Sequence, residues 1–342
     1  MRLPFALPAA IALSALGVLA VAPVAGAANP SQRAVVLVSG GAAVSPCTTP
    51  KAACKAGFAA GITDTQIRGF LLKKGYRVFT APAMGGRGKV AEDPGPNGFS
   101  KCPKALPAYM TVNANGPIEL AGVSLSYFIG HLNRRYGIRQ VDFISHSMGG
   151  LYTRSAIHYL QATGSPVKVR SLNTLGSPWG GTIFADSPDP ANPQAACDGF
   201  AVCLSLLDVF SSDAPDIMTE TKAAYIAQLN RDNAGVLKRI PVTLIAGDYF
   251  QKPGGTPRVW PNDGIVTPEA ALAGPVADNV INHRRCHLLP GGTHSIYISR
   301  EVGLPDDTGI TWNQEVNGWL LDAIRNSGNA LKQPNRVGCP AT

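Results

Sequence analysis

"VDFISHSMGGLY", residues 141–152, is the stretch on which the reading of the whole chain turns. β-prone and apolar residues run into Ser147, which stands between His146 and Met148 and is followed by two glycines. The pattern predicts a strand over Val141–Ser145, a helix over Met148–Gln161, and a sharp turn between them. Such a turn forces its central residue into strained backbone, and bulk two positions to either side would collide with it. Those positions hold Ser145 and Gly149. This is the G-x-S-x-G nucleophile elbow with serine in place of the first glycine. The turn lifts the hydroxyl above the sheet and sets it at a helix N-terminus, where the dipole favours developing negative charge. A serine that merely caps the helix would need neither the small neighbours nor the strand before it.

Working outward, strands and helices alternate. Ala34–Val38, "AVVLV", is an unbroken apolar run suited to a strand buried on both faces. A helix is predicted over Ile62–Lys74, stopped by Gly75, and a strand over Tyr76–Thr80. A Gly/Pro-rich loop follows from Pro82 to about Gly116, and then a helix with Pro117 at its first position and Gly137 at its end. Further strands are predicted at Val167–Leu175, Pro241–Gly247 and Cys286–Leu289, and a closing helix over Thr311–Asn326. This alternation implies βαβ units and an α/β fold with about six mainly parallel strands.

The N-terminus reads as a secretory signal peptide over residues 1–27. Arg2 supplies a basic start, an apolar stretch runs to Val24, and Ala25-Gly26-Ala27 offers a cleavage site. The remainder, 28–342, is expected to be one domain of a secreted, monomeric protein with no transmembrane segment after cleavage. Seven cysteines in an exported chain imply disulfides. Sequence does not fix the pairing: the short-range candidates are Cys47–Cys54 and Cys197–Cys203, Cys286–Cys339 would tie the tail to the body, and Cys102 is then left over or competes for Cys47 or Cys54. No CxxC pair exists to suggest zinc. The net charge of +8 is scattered, with pairs such as Arg134-Arg135 and Arg284-Arg285 as its densest clusters. A nucleic-acid binder concentrates charge on one face, so no nucleic-acid partner is expected.

"SHSMGGLYTRSAIHYL" resembles the elbow and following helix of secreted bacterial lipases of the α/β-hydrolase fold. "TLGSPWGGT" at 174–182 is similar to the segment those lipases carry after the next strand, "VVLVSGG" at 35–41 to their first-strand segment, and "NDGIV" at 262–266 to the segment bearing their catalytic acid. The resemblance implies a serine hydrolase acting on lipid or other ester substrates with no organic cofactor. Calcium enters by family analogy only, and no dedicated loop for it is evident. Ser39 stands where the family has histidine, which predicts one hydrogen bond fewer behind the oxyanion loop.

A serine needs a base, and the base an orienting acid, in the chain order Ser, acid, His for this fold. His294 lies in "GGTHS", a glycine-rich loop after the strand at 286–289, where the base belongs; His283 is the runner-up. Two carboxylates are candidates for the acid, Asp248 at the end of "VTLIAGD" and Asp263 in "PNDGIV". The resemblance favours Asp263. The oxyanion donors are expected to be the backbone N–H of Met148 and, by resemblance, that of Gly41.

Residues about 179–240 exceed what the sheet needs and are expected to form a lid or cap inserted after the strand at 167–175. Within it Leu204, Leu207 and Val209 beside Asp208 read either as a lid element facing an acyl chain or as plain packing. An apolar cover argues for fatty acyl esters, hence a lipase or carboxylesterase. An acyltransferase, thioesterase or polyester hydrolase would use the same triad, and a catalytically dead hydrolase fold would bind without reacting.

Overall fold

The computed structural model describes residues 32–43, 60–84, 106–189 and 191–340. The expected leader, Cys47, Cys54, Cys102 and much of the Gly/Pro-rich loop lie outside the described residues. In chain order the elements are β1 (Arg33–Val38), α1 (Ala60–Lys73), β2 (Val78–Thr80), β3 (Ala83–Met84), β4 (Val112–Asn113), α2 (Ile118–Tyr136), β5 (Gln140–His146), α3 (Gly149–Ala162), β6 (Lys168–Leu175), α4 (Ala201–Asp213), α5 (Pro215–Glu220), α6 (Ala223–Asp232), β7 (Val242–Gly247), α7 (Pro268–Ala271), β8 (Arg284–Leu289), α8 (Ile296–Glu301), α9 (Gln314–Ala330) and β9 (Arg336–Val337).

Seven strands form one sheet in the order β2-β1-β5-β6-β7-β8-β9. Every pairing in it is parallel. About six strands were expected, and the seventh is a short edge strand. β9 is two residues long, pairing Arg336 and Val337 with Arg284 and Arg285 of β8, and it has no apolar run to announce it. The Cys286–Cys339 disulfide fastens that edge to β8, and Cys197–Cys203 closes a short loop ahead of and into α4. Both pairs are among those expected from the sequence.

Strand residues alternate between two cores, as the pleat requires. Val35, Leu37, Ile144, Leu175 and Ile245 face Ile67 and Leu71 of α1 and Val316, Leu320 and Ile324 of α9. Val36, Val38, Val141 and Phe143 face Leu125, Phe128 and Ile129 of α2 and Leu151, Tyr152 and Ile157 of α3. Burial on both faces is why these strands read as continuous apolar runs.

The chain builds β1, moves outward to β2, then returns to lay β5 on the other side of β1. That reversal opens a crevice beyond the C-terminal ends of β1 and β5, the place where open parallel sheets bind ligands. The segments that leave those ends are Ser39–Gly41 and Ser147.

Helices α4, α5 and α6 belong to the stretch between β6 and β7, and they are tied down on several sides. Arg258 donates to the carbonyls of Ile183, Asp186, Ala195 and Ala196, so one guanidinium orders the start of this stretch. Glu220, at the end of α5, accepts a 2.6 Å hydrogen bond from the N–H of Ile118. It thereby caps α2, whose N-cap residue Pro117 offers no side-chain acceptor. Of the two readings open for α4, Leu204 and Leu207 follow plain packing: Leu207 is buried in the core and Leu204 packs against it. Leu206, Val209 and Phe210, three and four residues apart, are the ones that face the crevice.

Candidate active site

Ser147 has φ 56°, a left-handed conformation that costs a non-glycine residue about 1–2 kcal/mol. Its neighbours explain how it is held. The Ser147 N–H donates to the carbonyl of Leu175 at 2.8 Å, which anchors the turn to the end of β6. A Cβ at Gly149 would come within 2.5 Å of the Val38 carbonyl oxygen, so position plus two must be glycine. Ser145, at minus two, fits because its hydroxyl turns to the Thr153 hydroxyl at 2.8 Å, inside the protein. On the other side, a Cβ at Gly40 would lie 2.4 Å from Ser147 Cβ, so that glycine lets the loop after β1 pass against Ser147.

Asp263 and His294 come together from separate loops. Asp263 follows β7 and lies in a turn where its Oδ1 accepts from the N–H groups of Ile265 and Val266 at 3.0 and 2.8 Å. Its Oδ2 accepts from His294 Nδ1 at 2.8 Å, and its backbone carbonyl accepts from the His294 N–H at 2.7 Å. Both side chains are shut from solvent. With Nδ1–H committed to a carboxylate, neutral His294 carries its lone pair on Nε2. Nε2 is buried and has no hydrogen-bond partner among the described residues. Gly176 closes the pair from the β6 side, since a Cβ there would sit 2.8 Å from His294 Nδ1 and 3.1 Å from Asp263 Oδ2.

Ser147 and His294 line one cavity of about 360 Å³. No hydrogen bond joins Ser147 Oγ to His294 Nε2 here. Bonds of this kind are commonly long before substrate is bound. The cavity floor includes Gly40, Gly41 and Met148, and its walls include Phe184, Leu206, Phe210, Ile217, Ile265 and Ile298. Gly41 and Met148 both line the cavity, and among the described residues neither N–H is engaged in a hydrogen bond. The N-terminus of α3 lies directly behind Met148 and adds its partial positive charge. Behind Gly41, the Ala42 N–H and the Tyr152 hydroxyl both donate to the Ala114 carbonyl, at 3.1 and 3.0 Å, which fixes the loop.

The other sequence candidates fall elsewhere. Asp248 stands at the end of β7, but its Oδ1 accepts from the Gly291 N–H at 2.7 Å and it does not reach His294. His283 precedes β8 and lines a different cavity, with Arg284 and Pro334. His287 is in β8, stacked on Trp319 at 4.6 Å. Ser39 does not leave the loop unsupported as expected: its hydroxyl donates to the buried carboxyl of Asp64 on α1. Two features of the site had no signal in the sequence. One is Asp64, which burial pushes up to about 6 against the opposing pulls of the Ser39 hydroxyl and Arg68. The other is His146, whose ring packs 4.7 Å from the His294 ring and whose Nε2 bonds the His294 carbonyl at 2.9 Å. Among the described residues no cluster of side chains suited to a metal ion occurs, and no helix is long and apolar enough to cross a membrane.

A parallel sheet with a strand–serine–helix elbow beside its switch point, an acid after one later strand and a histidine after the next, is the α/β-hydrolase fold. No family model and no curated protein matches the chain. Among solved structures it is similar to a gene product of Listeria innocua, at 15% identity and a TM-score of 0.46 over 90% of this chain and 99% of that one. It is also similar to an esterase from Pyrococcus furiosus, at 15% identity and a TM-score of 0.40 over 85% of this chain and 82% of that one. A third is the naproxen esterase of Bacillus subtilis, at 14% identity and a TM-score of 0.41 over 85% and 83%.

Proposed function

We propose that this chain is a secreted serine hydrolase that cleaves carboxylic esters of fatty acids, a lipase or carboxylesterase working through an acyl-enzyme on Ser147. The observation that carries the reading is the buried Asp263–His294 pair, with His294 Nε2 unpartnered, lining the same cavity as Ser147 on its strained turn. In the reaction Ser147 Oγ attacks the ester carbonyl carbon while His294 Nε2 takes its proton. The C–O bond to the alcohol breaks, and the same proton passes to the leaving oxygen. Asp263 holds the tautomer and stabilises the imidazolium. The N–H groups of Gly41 and Met148 receive the oxyanion, each contributing on the order of 3 kcal/mol to the transition state. Water, deprotonated by His294, then attacks the acyl carbonyl; the bond from that carbon to Ser147 Oγ breaks, the proton passes from His294 Nε2 back to Ser147 Oγ, and the acid leaves.

The preference for acyl esters rests on the cavity's aliphatic and aromatic walls. Secretion is supported by the leader-like residues 1–27 and the two disulfides. A p-nitrophenyl ester series from acetate to palmitate, run on the wild type and on Ser147→Ala, tests this. Turnover with a medium or long acyl chain, abolished in the variant, is expected. Turnover that survives in Ser147→Ala contradicts it, and a maximum at acetate or butyrate narrows the reading to an esterase.

A further inference from the structure

His146, the residue just before the nucleophile, is buried and faces the base rather than the solvent. Its Nε2 lies 2.9 Å from the carbonyl oxygen of His294. A carbonyl can only accept, so the proton of His146 sits on Nε2 and the tautomer is fixed. Burial, and next the nearness of His294, hold the His146 ring well below the usual imidazole pKa. It therefore stays neutral when His294 takes a proton.

His294 needs such restraint. It follows Gly291 and Gly292 in a loop where Gly291 has φ 70°. Three hydrogen bonds commit its backbone N–H, its Nδ1 and its carbonyl, leaving only Nε2 free. The first two go to Asp263, on the loop after β7. Neither relates the base to the nucleophile. The third comes from His146, the last residue of β5 and the covalent neighbour of Ser147. Of the hydrogen bonds His294 makes among the described residues, this one alone joins the element that carries the nucleophile to the loop that carries the base. The two rings also pack at 4.7 Å, which limits rocking of the His294 imidazole about its side-chain torsions.

We propose that His146 is a positioning residue for the reaction: its Nε2–H grips the His294 carbonyl and so sets the approach of His294 Nε2 to Ser147 Oγ. This inference rests on the proposed function. A displacement of about 1 Å in such a pair can lower the rate on the order of a hundredfold without touching substrate binding.

The test compares His146→Phe, which keeps the ring contact and removes the donor, with His146→Gln, which returns an amide N–H at similar reach. Both are assayed on p-nitrophenyl butyrate, with thermal melts alongside. The expected result is a kcat lowered about ten- to hundredfold in His146→Phe with KM changed less than about threefold, and a kcat restored to within about threefold of wild type in His146→Gln. Wild-type kcat in His146→Phe, or an equal loss in His146→Gln, overturns the inference. Should His146→Phe fail to fold, His146→Asn takes its place, because its shorter amide falls short of the carbonyl. A low kcat in Asn beside a restored one in Gln supports the inference, and equal values overturn it. No turnover in the wild type overturns the proposed function and this inference with it. A wild type that turns over beside an unimpaired donor-less variant overturns this inference alone.

Discussion

Asp263 Oδ2 and His294 Nδ1 are 2.8 Å apart in a space closed to water, although 31 residues separate them in the chain. The carboxylate is held from behind by two backbone N–H groups on its other oxygen. Replacing Asp263 by Asn keeps the shape but presents the histidine with the wrong tautomer. We expect kcat to fall about 10⁴-fold in Asp263→Asn. Asp248→Asn should stay within a few-fold of wild type, since that side chain serves the Gly291 N–H. Steady-state kinetics on one ester decides between them, and a larger loss at position 248 reverses the assignment.

Gly176 and Gly164 separate strain from collision. Both have positive φ, 57° and 64°, so alanine costs each about 1–2 kcal/mol of stability. A Cβ at Gly176 also strikes the Asp263–His294 pair, whereas one at Gly164 meets nothing within 4 Å. Both alanine variants should melt earlier, and only Gly176→Ala should lose ester turnover. Equal activity in the two variants contradicts the packing described.

The carboxyl of Asp64 predicts a pH dependence of stability. Its folded pKa of about 6 lies above the ordinary 3.8, with burial as the main cause. The folded state therefore binds the proton more tightly. The contribution to stability is fully present below the unfolded value and is lost as pH rises through about 6. Denaturant unfolding at about pH 5 and pH 8 should show the wild type gaining about 1 kcal/mol on acidification relative to Asp64→Asn. The same difference at both pH values contradicts it.

Leu206 and Phe210 project from α4 into the cavity. Filling it with Leu206→Trp should lower turnover of long acyl esters about tenfold relative to short ones, in the same chain-length series. An unchanged ratio would place the acyl chain elsewhere.

The strand at 34–38 was legible because burial on both faces leaves an uninterrupted apolar signature, and those at 141–145 and 241–247 because only Asp142, Ser145 and Thr243 break theirs. The elbow was legible because sterics dictate small residues around Ser147. Chain order and resemblance pointed to the loops of His294 and Asp263, whose contact is a product of two loops folding back over the sheet. What stayed hidden has a common cause. The Glu220 cap on α2, the Asp64 support of Ser39 and the His146 bond to His294 span 102, 25 and 148 residues. Each is a single polar contact with no periodic pattern to mark it. The register of α4 stayed open because Leu204, Leu206, Leu207, Val209 and Phe210 are all apolar, so spacing alone does not say which ones turn toward the cavity.

The role of Ser147 as nucleophile is tested most directly by treating the wild type with an alkyl p-nitrophenyl phosphonate and locating the adduct by peptide mass spectrometry. One adduct per chain, on Ser147 and lost in Ser147→Ala, is the predicted result. Adduct on another residue, or none on a preparation that turns over esters, would contradict it.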